Sequence, residues 1–243
     1  MLIKTYPDYQ ALSEAAGLLL YETLRQYPKA VICIASGDTP TGACQVAARL
    51  VQENNLDCTQ AHFIGLDEWV GIPPSNPGSC QYPVRAHLLT PLGIPETQIH
   101  FFDSLAPDLQ LECDRMNDTL ARLGGLDLML VGVGVNGHIG LNEPGTPADI
   151  RCHISELAES TRTMGQKYFR SATPLTQGIT LGLGDCMAAR QLVVLANGPR
   201  KTDIVREIVH APVTPAIPAT LLRTHPNGWL MLDEVAAARL TEA

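Results

Sequence analysis

Short apolar runs alternate with amphipathic stretches along this chain. Val31–Ala35, His62–Leu66, Ile99–Phe102, Leu126–Val133, Ile179–Leu183, Leu192–Ala196 and Gly228–Leu232 read as strands, because compact aliphatic runs bounded by turn residues suit a buried sheet. Ala11–Tyr27, Gly42–Gln52, Tyr82–Leu89, Leu109–Leu123 and Lys201–Val209 instead space their apolar positions as one face of a helix. The first of these stops at Pro28, which cannot continue a helix. Strands apolar on both faces and separated by helices predict an α/β fold, Rossmann-like and doubly wound, with a mainly parallel sheet and helices on both faces. Ligands of such sheets bind beyond the carboxyl ends of the strands. That rule singles out three segments, 36–42, 67–79 and 134–146, which are also polar and rich in Gly, Pro or Asn.

Composition narrows the picture without changing it. At 243 residues one substantial core is feasible, and residues 1–243 are expected to form a single domain. Lys and Arg number 17 against 25 Asp and Glu, a net charge of −8. An acidic chain of this kind argues against a nucleic-acid partner and repels anions at long range unless cations gather locally. The N-terminal stretch MLIKTYPDYQALSEAAG has no continuous apolar segment of the signal-peptide kind, and no run is long enough to span a bilayer. Seven scattered cysteines with no C-x-x-C pair read as reduced thiols of a cytoplasmic protein, with no metal cluster expected.

The three segments carry different chemistry. Ser36-Gly37-Asp38-Thr39-Pro40-Thr41-Gly42 joins a strand to a helix. It is either an anion cradle of backbone N–H groups at a helix N-terminus or an ordinary turn with Asp38 or Thr39 as N-cap and Pro40 at the first helical position. Asp38 counts against an anion unless its side chain turns away. Asp67-Glu68 ends a strand and is either a surface acidic turn or a carboxylate proton shuttle held in a cleft. The sharpest feature is Gly132-Val133-Gly134-Val135-Asn136-Gly137-His138-Ile139-Gly140-Leu141-Asn142-Glu143-Pro144-Gly145. Its histidine follows an apolar strand among glycines that allow close approach, and a glutamate five residues on can fix its tautomer and raise its basicity. Lys201, at a predicted helix start, is either tolerated at the surface or faces an anion.

The motifs ASGDTP, LDEWVG, APDLQLEC and above all GVNGHIGLNEPG resemble the glucosamine-6-phosphate deaminase/isomerase family, over about Leu12 to His225. DEWVG, CHISEL, ITLGLGD and AIPA look more like the galactosamine-6-phosphate members. The resemblance implies an aldose–ketose isomerisation coupled to loss of ammonia, without cofactor or metal, on an amino-sugar phosphate. It implies that Asp67 moves the proton between C2 and C1. His138 would open the sugar ring with Glu143 as its carboxylate partner. Ser36, Gly37, Asp38 and Thr39 would cradle the phosphate with Lys201 and Lys167, and Gly137 would be among the substrate-binding residues.

Departures from the family pattern matter as well. Asn136 stands where some members have an aspartate, so His138 would lean more on Glu143. Lys167 replaces an arginine and gives a point charge in place of a bidentate fork. His153 and Ser155 occupy the positions of a basic pair that binds an activator in hexameric members, so no such activation is expected. A monomer or small homo-oligomer is expected. A 6-phosphogluconolactonase-like hydrolase is disfavoured, because IGLNEP follows the histidine where that relative has a T-x-S-x-F-P segment. A non-catalytic sugar-phosphate-sensing module is disfavoured because it has no need of Asp67, His138 and Glu143 together.

Overall fold

The computed structural model describes residues 1–241. In chain order the elements are β1 (Leu2–Tyr6), α1 (Tyr9–Gln26), β2 (Val31–Ile34), α2 (Asp38–Glu53), β3 (His62–Gly65), β4 (Asp67–Trp69) and α3 (Gln81–Val84). They continue with β5 (Ile99–His100), α4 (Leu109–Leu123), β6 (Leu128–Gly132), β7 (His153–Glu156), α5 (Glu159–Gly165) and β8 (Gln177–Thr180). The last are α6 (Leu183–Ala188), β9 (Leu192–Ala196), α7 (Thr202–His210) and β10 (Gly228–Asp233).

Seven strands form one parallel sheet in the order β1-β10-β9-β6-β2-β3-β5. Its central strands are buried on both faces, and the strand period of two sorts their side chains. Val31, Cys33, Met129 and Val131 pack toward α4 and α7 with Met116, Ile204 and Ile208. Ile32, Ile34, Leu128 and Leu130 pack toward α1 and α2 with Leu20, Leu24 and Ala47. Each fully buried aliphatic side chain contributes about 1.5–3 kcal/mol, so two apolar layers on one sheet hold the strand ends rigidly. The chain runs β2 to β3 to β5 toward one edge, then returns to place β6 on the other side of β2. The strand order therefore reverses between β2 and β6, where an open α/β sheet forms its ligand crevice.

The apolar run Ile179–Leu183, expected as another sheet strand, divides differently. Its first part lies in β8, which pairs antiparallel with β4 and β7 in a separate three-stranded sheet. Asp67-Glu68-Trp69, expected as a strand-end loop, is the strand β4. The helix expected from Gly42 already begins at Asp38, because Pro40 falls in the first turn, where a missing N–H is harmless. The helical stretch over Tyr82–Leu89 begins as α3 and widens to a π-helical turn at Arg85–Leu89, a difference that apolar spacing does not reveal. Lys201 ends a 3-10 turn over Pro199–Lys201 and immediately precedes α7. Among the described residues no helix is long and apolar enough to cross a membrane.

Candidate active site

A cleft of ≈ 380 Å³ opens at the carboxyl ends of β9, β6, β2 and β3. Ser36, Gly37, Asp38 and Thr39 line one side, Asp67 and Cys80 a second, His138 a third, and Lys167 and Lys201 close the rim. Five sequence-distant segments thus meet at one place, as the strand-end rule requires.

The phosphate-loop candidate is built on Gly37, whose φ of 110° is a left-handed backbone value that suits glycine. It occupies the N-cap position of α2 without a side-chain cap. The ordinary-turn alternative, with an Asp38 or Thr39 cap and Pro40 at the first helical position, is therefore corrected, since Pro40 is the third residue of α2. The first-turn N–H groups have no partner within the helix and carry the positive end of its dipole. Both candidate side chains are engaged elsewhere. Thr39 Oγ1 donates to Asn197 Oδ1 at 2.5 Å, and the Asp38 carboxylate accepts from Lys167 Nζ at 2.6 Å. Asp38 is two-thirds exposed, so its charge leans outward onto Lys167 rather than into the loop.

Lys201 Nζ donates to the carbonyl of Val133 at 2.6 Å, which fixes the ammonium at the end of β6 and facing the cleft. Burial, with Lys167 and Arg200 nearby, pulls its pKa down to about 8. Desolvation disfavours a lone buried ammonium, and an anion in the cleft would compensate it.

Asp67 and Glu68 are neighbours on β4 with opposite environments, because consecutive strand side chains point to opposite faces. Glu68 is buried, and its carboxylate accepts from the N–H groups of Trp69 at 3.0 Å, Cys80 at 2.8 Å and Gln81 at 3.1 Å. It thereby clamps the 70–80 loop onto the strand. Asp67 faces the cleft. Burial foremost, then the charge of Glu68, raises its pKa to about 7, offset in part by the nearby Cys80 side chain. A carboxylate balanced near neutrality can both take and return a proton.

His138 sits on a turn whose geometry depends on glycine. A Cβ at Gly134 would lie 2.3–2.5 Å from three atoms of the imidazole, so the ring packs directly on backbone there. Its Nδ1 lies 3.2 Å from Thr161 Oγ1 and 3.7 Å from Glu143 Oε2. Asn136 Nδ2 donates to that same Glu143 oxygen at 3.0 Å, while Asn136 Oδ1 accepts from His138 N at 3.2 Å. The other Glu143 oxygen accepts from Ala158 N at 3.2 Å. Glu143 was expected to raise the basicity of His138. It acts in that direction, but burial dominates and brings the pKa down to about 4, so the ring is neutral at pH 7.

Asn136 and Glu143 stand behind His138 and outside the cleft lining. Gly137, expected among the substrate-binding residues, does not line the cleft either. Its φ is 85°, its N–H and C=O bond Gly134 and Ala219, and a Cβ there would meet Ile217 at 2.7 Å. Sequence reasoning missed Thr161 and Asn197, which reach the site from 23 and 158 residues away from their partners. It also missed Glu68 as a clamp, although the acidic pair had drawn attention to it. Among the described residues no three His, Cys, Asp or Glu side chains converge as a metal-ligand group.

Similarity to known proteins agrees with this geometry. The family model of glucosamine-6-phosphate isomerases/6-phosphogluconolactonase matches residues 8–231. An Escherichia coli (strain K12) protein named "Putative deaminase AgaI" is 41% identical over 221 residues, covering 90% of this chain and 87% of that one. The glucosamine-6-phosphate deaminase of Shouchella clausii (strain KSM-K16) is 34% identical, covering 97% and 96%. Among solved structures, a monomeric glucosamine-6-phosphate deaminase superposes with a TM-score of 0.94 at 29% identity, covering 98% and 99%. The 6-phosphogluconolactonase of Trypanosoma brucei shares the fold with a TM-score of 0.79 at 24% identity, covering 99% and 98%. The chain belongs to the glucosamine-6-phosphate isomerase/6-phosphogluconolactonase family.

Proposed function

We propose that this protein is a deaminating isomerase of hexosamine 6-phosphates, converting galactosamine 6-phosphate to tagatose 6-phosphate, or glucosamine 6-phosphate to fructose 6-phosphate, with release of ammonia. The observation that carries this reading is one cleft lined by a carboxyl balanced at about 7 (Asp67), a neutral histidine (His138) and a desolvated lysine (Lys201). The relatives named as deaminases support it over lactone hydrolysis. One domain acting as a monomer accords with the monomeric structural neighbour. Seven free, buried cysteines accord with the reducing cytoplasm.

The chemistry follows from the cations and proton carriers. Lys201 and the first-turn N–H groups of α2 hold the phosphate, with Lys167 passing from Asp38 to the ligand. His138 moves the anomeric hydroxyl proton to the ring oxygen, which opens the ring. Thr161, Asn136 and Glu143 hold the imidazole in place. Asp67, as carboxylate, takes the C2 proton and returns it at C1. The aldehyde thus becomes a primary alcohol, and C2 becomes an imine. Water adds at C2, the nitrogen leaves as ammonia, and the C2 carbonyl of the ketose remains.

Two outcomes follow here. The ratio kcat/KM rises through about pH 7 as Asp67 ionises in the free enzyme and falls above about pH 8 as Lys201 loses its charge; a profile flat from pH 6 to 9 contradicts both roles. Lys201→Ala raises KM by roughly 10–100-fold with a smaller change in kcat, since a lost contact to a non-reacting phosphate removes uniform binding. Steady-state kinetics with varied substrate checks this. The reading itself is tested by ammonia release from the two epimers side by side. Release from at least one is expected, and no ammonia from either overturns it.

A further inference from the structure

Two glycines let α1 and α2 pack with no room between them. A Cβ at Gly17 of α1 would lie 2.5 Å from Val46 Cβ and 2.8 Å from the Ala43 carbonyl. One at Gly42 of α2 would lie 2.3 Å from Ser13 Oγ and 2.8 Å from the Tyr9 hydroxyl. That approach brings Tyr9, the first residue of α1, onto the first turn of α2. Its own backbone is secured there. Asp8 caps α1 by accepting from Ala11 N at 2.8 Å, and Ser13 Oγ donates to the Tyr9 carbonyl at 2.7 Å. The Tyr9 hydroxyl then donates to the Asp38 carbonyl at 2.6 Å, lies 3.3 Å from that of Thr39, and accepts from Gly42 N at 3.0 Å. The Asp38 carbonyl and the Gly42 N–H are the pair that a helical ladder joins, so one phenol braces both ends of that step. Tyr9 does not line the cleft and reaches the loop from behind.

We propose that Tyr9 is a positioning residue that sets the direction of the phosphate-loop N–H groups. This rests on the reading of the first turn of α2 as a phosphate holder. A peptide unit is planar and trans, so a hydrogen bond that fixes the Asp38 carbonyl also fixes the Thr39 N–H on the opposite side of the same plane. The turn has few donors to spare. Pro40 has no N–H, Thr41 N gives its own to the Gly37 carbonyl at 3.3 Å, and Gly42 N gives its own to Tyr9. Anion binding therefore falls to the N–H groups of Asp38 and Thr39, two residues that line the cleft. The side chains of the loop do not hold this peptide plane, because those of Asp38 and Thr39 are turned to Lys167 and Asn197. The brace comes from α1.

Tyr9→Phe removes the hydroxyl and keeps the ring. KM for the sugar phosphate is expected to rise about 3–10-fold while kcat stays within about twofold, since a lost hydrogen bond behind the phosphate site weakens ground state and transition state alike. Inorganic phosphate is titrated into ¹⁵N-labelled protein without substrate. It should shift the Asp38 and Thr39 amide resonances of the wild type and bind Tyr9→Phe about 3–10-fold more weakly. Ser13→Ala alters the same contact between helices but leaves the hydroxyl in place, so it should bind phosphate as the wild type does. Unchanged phosphate affinity in Tyr9→Phe overturns the proposal. Equal weakening in Ser13→Ala does so too, as do wild-type Asp38 and Thr39 amides that ignore phosphate. Phosphate binding is read without turnover, so it decides the role of Tyr9 even if neither epimer releases ammonia.

Discussion

Asp67→Asn lowers kcat by about 10²–10⁴-fold and at the same time makes the protein more heat-stable at pH 8. Both effects come from the same surroundings. The amide keeps the shape of the side chain but cannot accept the C2 proton, so isomerisation stops while phosphate binding at Lys201 continues and KM changes little. The stability gain has the sign of a carboxyl whose pKa is raised on folding, from 3.8 to about 7. Such a group binds its proton more tightly in the folded protein. Its favourable contribution is complete below pH 3.8 and is lost as pH rises through 7, above which the ionised group costs stability. Allowing for the partial exposure of Asp67, that cost is about 2 kcal/mol. Its removal raises Tm by roughly 4–8 °C at pH 8 in a chain of this size. Near pH 4 the wild type and the variant melt together. Differential scanning calorimetry at the two pH values, beside ammonia assays, checks the pair; a variant that gains no stability at pH 8 contradicts the buried-base assignment.

Gly134→Ala has an effect of comparable size without touching an ionisable group. The new methyl would sit 2.3 Å from His138 Cε1 and 2.4 Å from Nδ1, distances no real Cβ adopts, so the imidazole must swing away. Displacement breaks its contacts with Thr161 and Glu143 and removes the acid/base group from the anomeric centre. Turnover is expected to fall about 10²-fold or more, since a misplacement of about 1 Å can cost that much. Asp67 and the phosphate site are left intact. Exchange of the C2 proton in the small open-chain fraction of substrate therefore persists when ammonia release is slow. Comparing deuterium wash-in at C2 with ammonia release separates a ring-opening defect from a collapsed site. Loss of both in equal measure would contradict the division of labour between His138 and Asp67.

These expectations show which parts of the molecule could be read along the chain. Central strands such as Leu128–Gly132 are unbroken apolar runs, because both faces are buried, and the polar turns at their ends mark the cleft. The first strand, Leu2–Tyr6, escaped notice because it lies at the sheet edge with mostly exposed or half-exposed side chains, and an edge strand carries a weak pattern. The small antiparallel sheet escaped for a different reason. β4 has three residues and gains meaning only from pairing with β8 more than a hundred positions on. Asp67, His138 and the Ser36–Thr39 loop, which line one cleft, could be singled out from local motif and resemblance. Their supports could not, since Thr161 for His138 and Asn197 for Thr39 come from distant segments with no local signature.

The acidic surplus of the chain also takes a specific form in the site. Asp38 lies in the loop expected to hold an anion, yet it is paired to Lys167 at 2.6 Å, and Lys201 faces the cleft with its ammonium on the Val133 carbonyl. A net charge of −8 therefore coexists with a local cationic pocket, and long-range repulsion is met by short-range N–H groups and one desolvated ammonium.

The central claim, that Asp67 transfers the C2 proton of an amino-sugar phosphate on the way to ammonia, is tested most directly with hexosamine 6-phosphate deuterated at C2. With the wild type, each ammonia released should be matched by one ketose 6-phosphate. The label should leave C2 and appear at C1 or in solvent, and Asp67→Asn should release neither ammonia nor label. Ammonia released into an aldose product that keeps its deuterium at C2, or label washed out by Asp67→Asn at the wild-type rate, would contradict it.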